Sequence, residues 1–75
     1  MTLSKPMLEA FAREYFKEFP VRMSVNRRGG GFEIVASSTR RKYFYVAWLP
    51  ARASQAEMAG AVHALRDEIA RRERK

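Results

Sequence analysis

The 75-residue sequence predicts an α+β fold: a three-stranded antiparallel meander with two helices on one face, in the order α-β-β-β-α, forming a single domain over residues 1–75. Three observations predict it. Apolar residues recur with a helical period in the first and last thirds of the chain and with a period of two in the middle. Pro20 and Pro50 stand where the period changes. Two turn-forming runs, Asn26–Gly31 and Ser37–Arg41, divide the middle into three short segments.

The first helix is predicted over residues 5–19. Ser4 is a candidate N-cap, and Pro6 falls in the first turn, where its missing N–H costs nothing. Leu8, Phe11, Ala12, Tyr15 and Phe19 form one apolar stripe, and Glu9 precedes Arg13 by four residues on the other side. Beyond Pro20, Val21, Met23 and Val25 alternate with Arg22, Ser24 and Asn26, as in a half-buried strand. Phe32, Ile34 and Ala36 alternate with Glu33, Val35 and Ser37 after the run NRRGGG, so the two segments read as a hairpin whose glycines supply positive φ. The run lacks the Lys-Ser/Thr and helix start of a phosphate-binding loop. Residues 42–49, KYFYVAWL, are aromatic and β-branched and form the third strand.

Ser54 and Glu57 make an S-x-x-E capping box that opens the last helix. Met58, Val62, Leu65 and Ile69 then line one face. Ala56, Ala59, Gly60, Ala61 and Ala64 keep the first half slim enough to lie close on a sheet. Asp67–Arg71 and Glu68–Arg72 are favourable i, i+4 pairs, and the terminal RRERK is expected to fray. Strands joined by short turns pair as a meander. Both helices carry an apolar face, so both are expected on one side of the sheet with the other side left open.

A chain this short buries only about 60% of its unfolded surface, so its core is marginal. It has no cysteine, so neither a disulfide nor a thiolate metal site can reinforce it. The start MTLSKPMLEAF lacks the apolar core of a signal peptide, and no run approaches the roughly 18 apolar residues of a membrane span. The expectation is a cytoplasmic protein that does not enter a membrane. At 47% hydrophobic residues it is too apolar for a disordered basic tail. Arginine outnumbers lysine 11 to 4, a bias that goes with GC-rich coding.

The charge is concentrated. Residues 20–56 hold Arg22, Arg27, Arg28, Arg40, Arg41, Lys42 and Arg52 against Glu33 alone, which leaves +6 of the chain's net +7 there. A local cluster of arginines makes a positive potential that gathers polyanions. Strand alternation places Arg22, Ser24, Asn26, Glu33, Val35 and Ser37 on the open face. The third strand has two apolar faces, and its register is not decided by pattern alone. Turning Phe44, Val46 and Trp48 inward leaves Tyr43, Tyr45, Ala47 and Arg41 outside. In that register two tyrosine rings sit beside Arg22 and Asn26, with Arg27, Arg28, Arg40, Arg41, Lys42 and Arg52 flanking the sheet. Rings stack on bases, guanidinium groups take phosphate, and Ser and Asn supply neutral hydrogen bonds. Tyr43 and Tyr45 would serve equally well as core, and Arg27 and Arg28 as solvated turn charges. Trp48 is expected in the core, and His63, the sole histidine, as a structural or exposed residue.

The α-β-β-β-α order resembles the double-stranded-RNA-binding domain over nearly the whole chain. That family clusters lysines at the start of its second helix to clamp phosphates; here Arg52-Ala53-Ser54-Gln55 supplies one basic residue. Residues 21–49 followed by the Ser54 helix also resemble the three-stranded DNA-binding domains of phage integrase arm-binding and plant ethylene-response type. That resemblance implies an open sheet face laid in the major groove.

No catalytic residues, metal ligands or cofactors are expected. A lone histidine offers no nucleophile–base pair, and Glu33 stands isolated among bases. The segment Arg40–Tyr45, RRKYFY, contains the residue types used by ribosome-dependent mRNA-cleaving toxins, whose strand count and order differ. Two functions from different classes follow. One is a non-catalytic module binding nucleic acid, DNA or RNA, through the open sheet and its arginine turns. The other is an interaction or inhibitor module, of phage or mobile-element origin, that binds an acidic protein surface or pairs with a second copy as a homodimer.

Overall fold

The computed structural model describes residues 3–73. Its elements are α1 (Lys5–Phe16), β1 (Val21–Arg28), β2 (Gly31–Ser38), β3 (Phe44–Pro50) and α2 (Gln55–Glu73). The strands form one open antiparallel sheet in the order β1-β2-β3. Both helices cover the same side of it, and their buried residues join those of the sheet in one core. The expected α+β architecture and element order are those of the molecule.

α1 begins where the sequence places it. The Ser4 side chain accepts from the Met7 amide at 3.3 Å, and Pro6 sits in the first turn. The helix ends three residues earlier than the periodicity predicts, with Lys17 as its C-cap. A tight turn follows, held by Phe19 N–H donating to Phe16 C=O at 3.0 Å and Val21 N–H to Phe19 C=O at 2.8 Å. Phe19 therefore reaches the core from a turn, which is why it fitted the helical stripe. Leu8, Ala12 and Phe16 are buried against β1, with Met7, Phe11 and Tyr15 partly covered beside them.

β1 extends through Arg27 and Arg28, so both arginines belong to a strand and only Gly29 and Gly30 make the turn. Gly29 has φ +60°, the left-handed region that a two-residue hairpin loop demands at its first position. Gly31 is the first residue of β2 and pairs with both Arg28 and Pro50.

The capping box of α2 forms on both sides: Ser54 N–H donates to Glu57 Oε1 at 2.9 Å and Glu57 N–H to Ser54 Oγ at 3.1 Å. Met58, Val62, Leu65 and Ile69 are buried in the predicted face, over Val25, Phe32, Ile34, Ala36, Tyr45 and Leu49 of the sheet. Arg66 ties α2 to the turn between α1 and β1, with Nη2 2.9 Å from Glu18 Oε1 and its guanidinium over the Phe19 ring. His63 is exposed and meets Tyr15 edge-on at 4.7 Å.

Two further expectations are overturned. The first is the register of β3. Tyr45 is 1% exposed and Leu49 is buried, whereas Phe44, Val46 and Trp48 are 65%, 54% and 51% exposed. The tyrosine-lined strand face is the inner one. The second is the fraying of the last residues: α2 stays helical to Glu73, which is 4% exposed, while residues 74 and 75 lie outside the described part.

The two corrections have one cause. Glu73 follows Ile69 by four residues, so it continues the buried stripe of α2 as a carboxylate. A buried carboxylate needs donors. Tyr45 Oη donates to Glu73 Oε2 at 2.7 Å and Ser38 Oγ to Glu73 Oε1 at 3.1 Å, while the Arg40 guanidinium lies 3.6 Å from the carboxylate and also donates to the Glu73 main-chain carbonyl. With Phe44, Val46 and Trp48 inward, none of these inward groups could donate to it except the indole N–H.

Candidate nucleic-acid interface

The register of the sheet lays out the open face as cross-strand rows. Arg22, Ser37 and Phe44 share one row; Ser24, Val35 and Val46 the next; Asn26, Glu33 and Trp48 the third; Arg28, Gly31 and Pro50 the last. The β1 side of the face is polar and basic. The β3 side is aromatic and apolar. Phe44 and Trp48 are four residues apart on one strand, so their Cα atoms are separated by about 13 Å.

Trp48 is positioned by its neighbours. Its indole crosses β2 diagonally, and Nε1–H donates to the Arg28 carbonyl of β1 at 3.0 Å. Gly31 makes this crossing possible. A Cβ there would collide with the Leu49 carbonyl and stand 2.8 Å from Trp48 Cζ2. The ring's only donor is thereby engaged, and its N–H edge is turned toward the backbone, so the exposed half of the side chain is π surface and C–H edge.

The basic residues divide between the two ends of the sheet. Arg22 lies on the open face and, with Ser37, Ser38, Thr39 and Phe44, borders a shallow depression of about 400 Å³. Arg28 lies on the same face at the other end, with Nη1 3.7 Å from Glu33 Oε2. Arg52 follows β3 at that end, where Ala51 N–H donates to Gly30 C=O at 3.0 Å. Asn26 is exposed on the face, with Nδ2 3.5 Å from Ser24 Oγ.

The remaining predicted site residues sit elsewhere. Arg27 points to the helix side, its guanidinium 5.4 Å from the centre of the Phe32 ring. Arg40 is held by Glu73. Arg41 borders a separate cleft with Glu68, Arg71 and Arg72 of α2, and its amide, like that of Arg40, donates to Ser38 Oγ. Lys42 is an exposed loop residue at the same end. Tyr43 is half-buried on the inner side, edge-on to Tyr45 at 4.8 Å and capped by Arg72 at 4.6 Å. The expectation of one continuous surface of Arg22, Arg27, Arg28, Arg40 and Arg41 is therefore corrected. Arg22 and Arg28 remain on the open face, while Arg40 turns to the end of α2 and Arg27 to the core edge. The rings on that face are Phe44 and Trp48; Tyr45, buried at 1% exposure, cannot present its ring to a ligand.

Sequence reading missed Phe44 and Trp48 as surface residues, and it missed Glu73. A signal for both was present. Position 73 falls on the i, i+4 stripe after Ile69, so a charged residue there calls for a hydroxyl partner, and a tyrosine at position 45 supplies one.

Burial, chiefly, pushes the Tyr45 hydroxyl up to about 12, and the adjacent Glu73 carboxylate adds to this. Glu73 is held below the usual carboxylate range, first by the Tyr45 hydroxyl, with Ser38, Arg40 and Arg41 outweighing the opposing effect of burial. Among the described residues no group of three or more acidic or histidine side chains is placed to hold a metal ion, and no helix is long and apolar enough to cross a membrane. No family model matches this chain, and no curated protein or solved structure matches it.

Proposed function

We infer that the protein is a non-catalytic nucleic-acid-binding module that works through the open face of its sheet. One observation carries this reading: on a single face, the exposed rings of Phe44 and Trp48 along β3 look across β2 to Arg22, Ser24, Asn26 and Arg28 along β1, with Ser37, Val35 and Glu33 between the two strands. Such a face offers surfaces for bases and cations for phosphates at the same time. Glu33 is the one acidic residue in these rows, and it is paired with Arg28. The net +7 supplies long-range attraction for a polyanion. Cytoplasm is the compartment this reading assigns.

The test is a salt titration with labelled DNA and RNA oligonucleotides. Binding near micromolar at 50 mM salt, with log K falling linearly in log salt, is the expected result. Arg22→Glu combined with Arg28→Glu is expected to weaken binding and to lower the slope by about 2, one for each phosphate no longer neutralised. Absence of binding to every oligonucleotide at 50 mM salt overturns the reading.

A second reading rests on Val46, which joins Phe44 and Trp48 into an exposed apolar row on the edge strand β3, beside Val35 of β2. An exposed apolar edge strand is also a template for strand addition by a protein or a second copy. A sedimentation coefficient that rises with concentration in the absence of nucleic acid would favour it.

A further inference from the structure

We propose that the ligand of the open face is single-stranded nucleic acid, whose unpaired bases stack on Trp48 and Phe44. This rests on the nucleic-acid reading above and narrows it.

The β1 side of the face carries polar groups that a duplex or a single strand could use, so the chemistry of the β3 side makes the choice. A duplex shows a protein its phosphates and, in the grooves, the hydrogen-bonding edges of its bases. A sheet lying in a major groove about 12 Å wide must reach those edges with polar side chains. Here the β3 positions that project from the face are Phe44, Val46 and Trp48, flanked on β2 by Val35. None of them offers a free donor or acceptor, since the one donor among them, the Trp48 indole N–H, is bound to the Arg28 carbonyl. Base faces are open to such groups only when the bases are unpaired and splayed.

The placement of the rings agrees. Gly31 and the Arg28 carbonyl fix the orientation of the Trp48 indole before any ligand arrives, so little side-chain freedom remains to be lost on binding. Arg22 is in the row of Phe44, and Arg28 lies one row beyond that of Trp48, its guanidinium 3.7 Å from Glu33 Oε2. A strand running along β3 would set its bases on the rings and its phosphates toward the arginines.

Trp48 is the sole tryptophan, so its fluorescence reports on the proposed stacking site directly. Three probes of equal length are titrated at 150 mM salt: a mixed-sequence single strand, the corresponding duplex, and an abasic strand that keeps the phosphates and lacks the bases. The single strand is expected to quench Trp48 and to bind at least tenfold more tightly than the other two. Phe44→Ala removes a ring that is 65% exposed and is expected to leave the melting curve in place while lowering single-strand affinity roughly 5- to 150-fold. Equal binding of all three probes without quenching overturns the single-strand proposal and leaves the nucleic-acid reading standing. No binding by any probe at 50 mM salt overturns both. So does a concentration-dependent dimer that shifts Trp48 emission without nucleic acid and excludes the single strand.

Discussion

Gly31 shows how one residue can decide what a surface presents. It carries no side chain, yet its missing Cβ opens the path along which the Trp48 indole crosses to β1. The obstruction an added Cβ would meet includes backbone of β3, which cannot swing aside as a flexible side chain would. Gly31→Ala is therefore expected to destabilise the fold by about 1–3 kcal/mol through overpacking and to change the Trp48 emission maximum as the indole leaves its seat. Urea unfolding followed by fluorescence measures both, and an unchanged midpoint with unchanged emission would contradict the role given to Gly31. Tyr45 and Glu73 form the second decisive contact. Glu73 titrates below its unfolded-state value, so the stability it contributes is present above the ordinary carboxylate range and is lost as pH falls through the depressed value. Tyr45 titrates above its unfolded-state value, so its contribution is complete below the ordinary phenol range and is lost as pH rises through about 12. Tyr45→Phe is expected to lower the melting temperature by roughly 5–10 °C at pH 7, because Glu73 stays buried without its strongest donor, and to remove the phenol's share of the alkaline loss. A melting curve that Tyr45→Phe leaves in place between pH 5 and 9 would show that the contact carries no stability.

At the scale of elements, α2 holds the molecule together. Its capping box fixes the start, its stripe of Met58, Val62, Leu65 and Ile69 packs on the inner sheet face, and Glu73 fastens its end to β2, β3 and the loop between them. Leu65 is 5% exposed, so Leu65→Ala is expected to cost about 2–5 kcal/mol. A domain of this length has only about 4–11 kcal/mol to lose, so the variant should be partly unfolded near 37 °C. Chemical denaturation gives the number, and a loss under about 0.5 kcal/mol would be the behaviour of a surface position instead. The ion pairs along the helices matter far less. Glu9–Arg13 at 3.9 Å and Glu14–Lys17 at 2.8 Å are both solvated, and pairs of that kind contribute about 0–1 kcal/mol.

At the scale of the whole molecule, the sheet sorts its side chains into an inner face under two helices and an outer face with rings along β3 and cations along β1. The charge that looks like one patch along the chain is distributed by the meander to the two ends of the sheet, since consecutive turns of an antiparallel sheet lie at opposite ends. Arg27, Arg28 and Arg52 go to one end, and Arg22, Arg40, Arg41 and Lys42 to the other.

Much of this was written in the sequence, because it depends on neighbours along the chain. The helical periods, the Ser4 and Ser54 caps, the glycine turn and the alternation of β1 and β2 are local properties, and local chemistry is enough to place them. The facing of β3 is different. Its two faces are nearly equal in hydrophobicity, so alternation carries no sign, and the choice falls to partners distant in sequence. One is Glu73, 28 residues after Tyr45, whose buried carboxylate takes the phenol. The other is Gly31, whose open backbone takes the indole of Trp48. Those two tertiary contacts turn Tyr45 inward and Phe44, Val46 and Trp48 outward, because a buried charge must find a donor and a ring can lie across a strand only where no Cβ stands in its way.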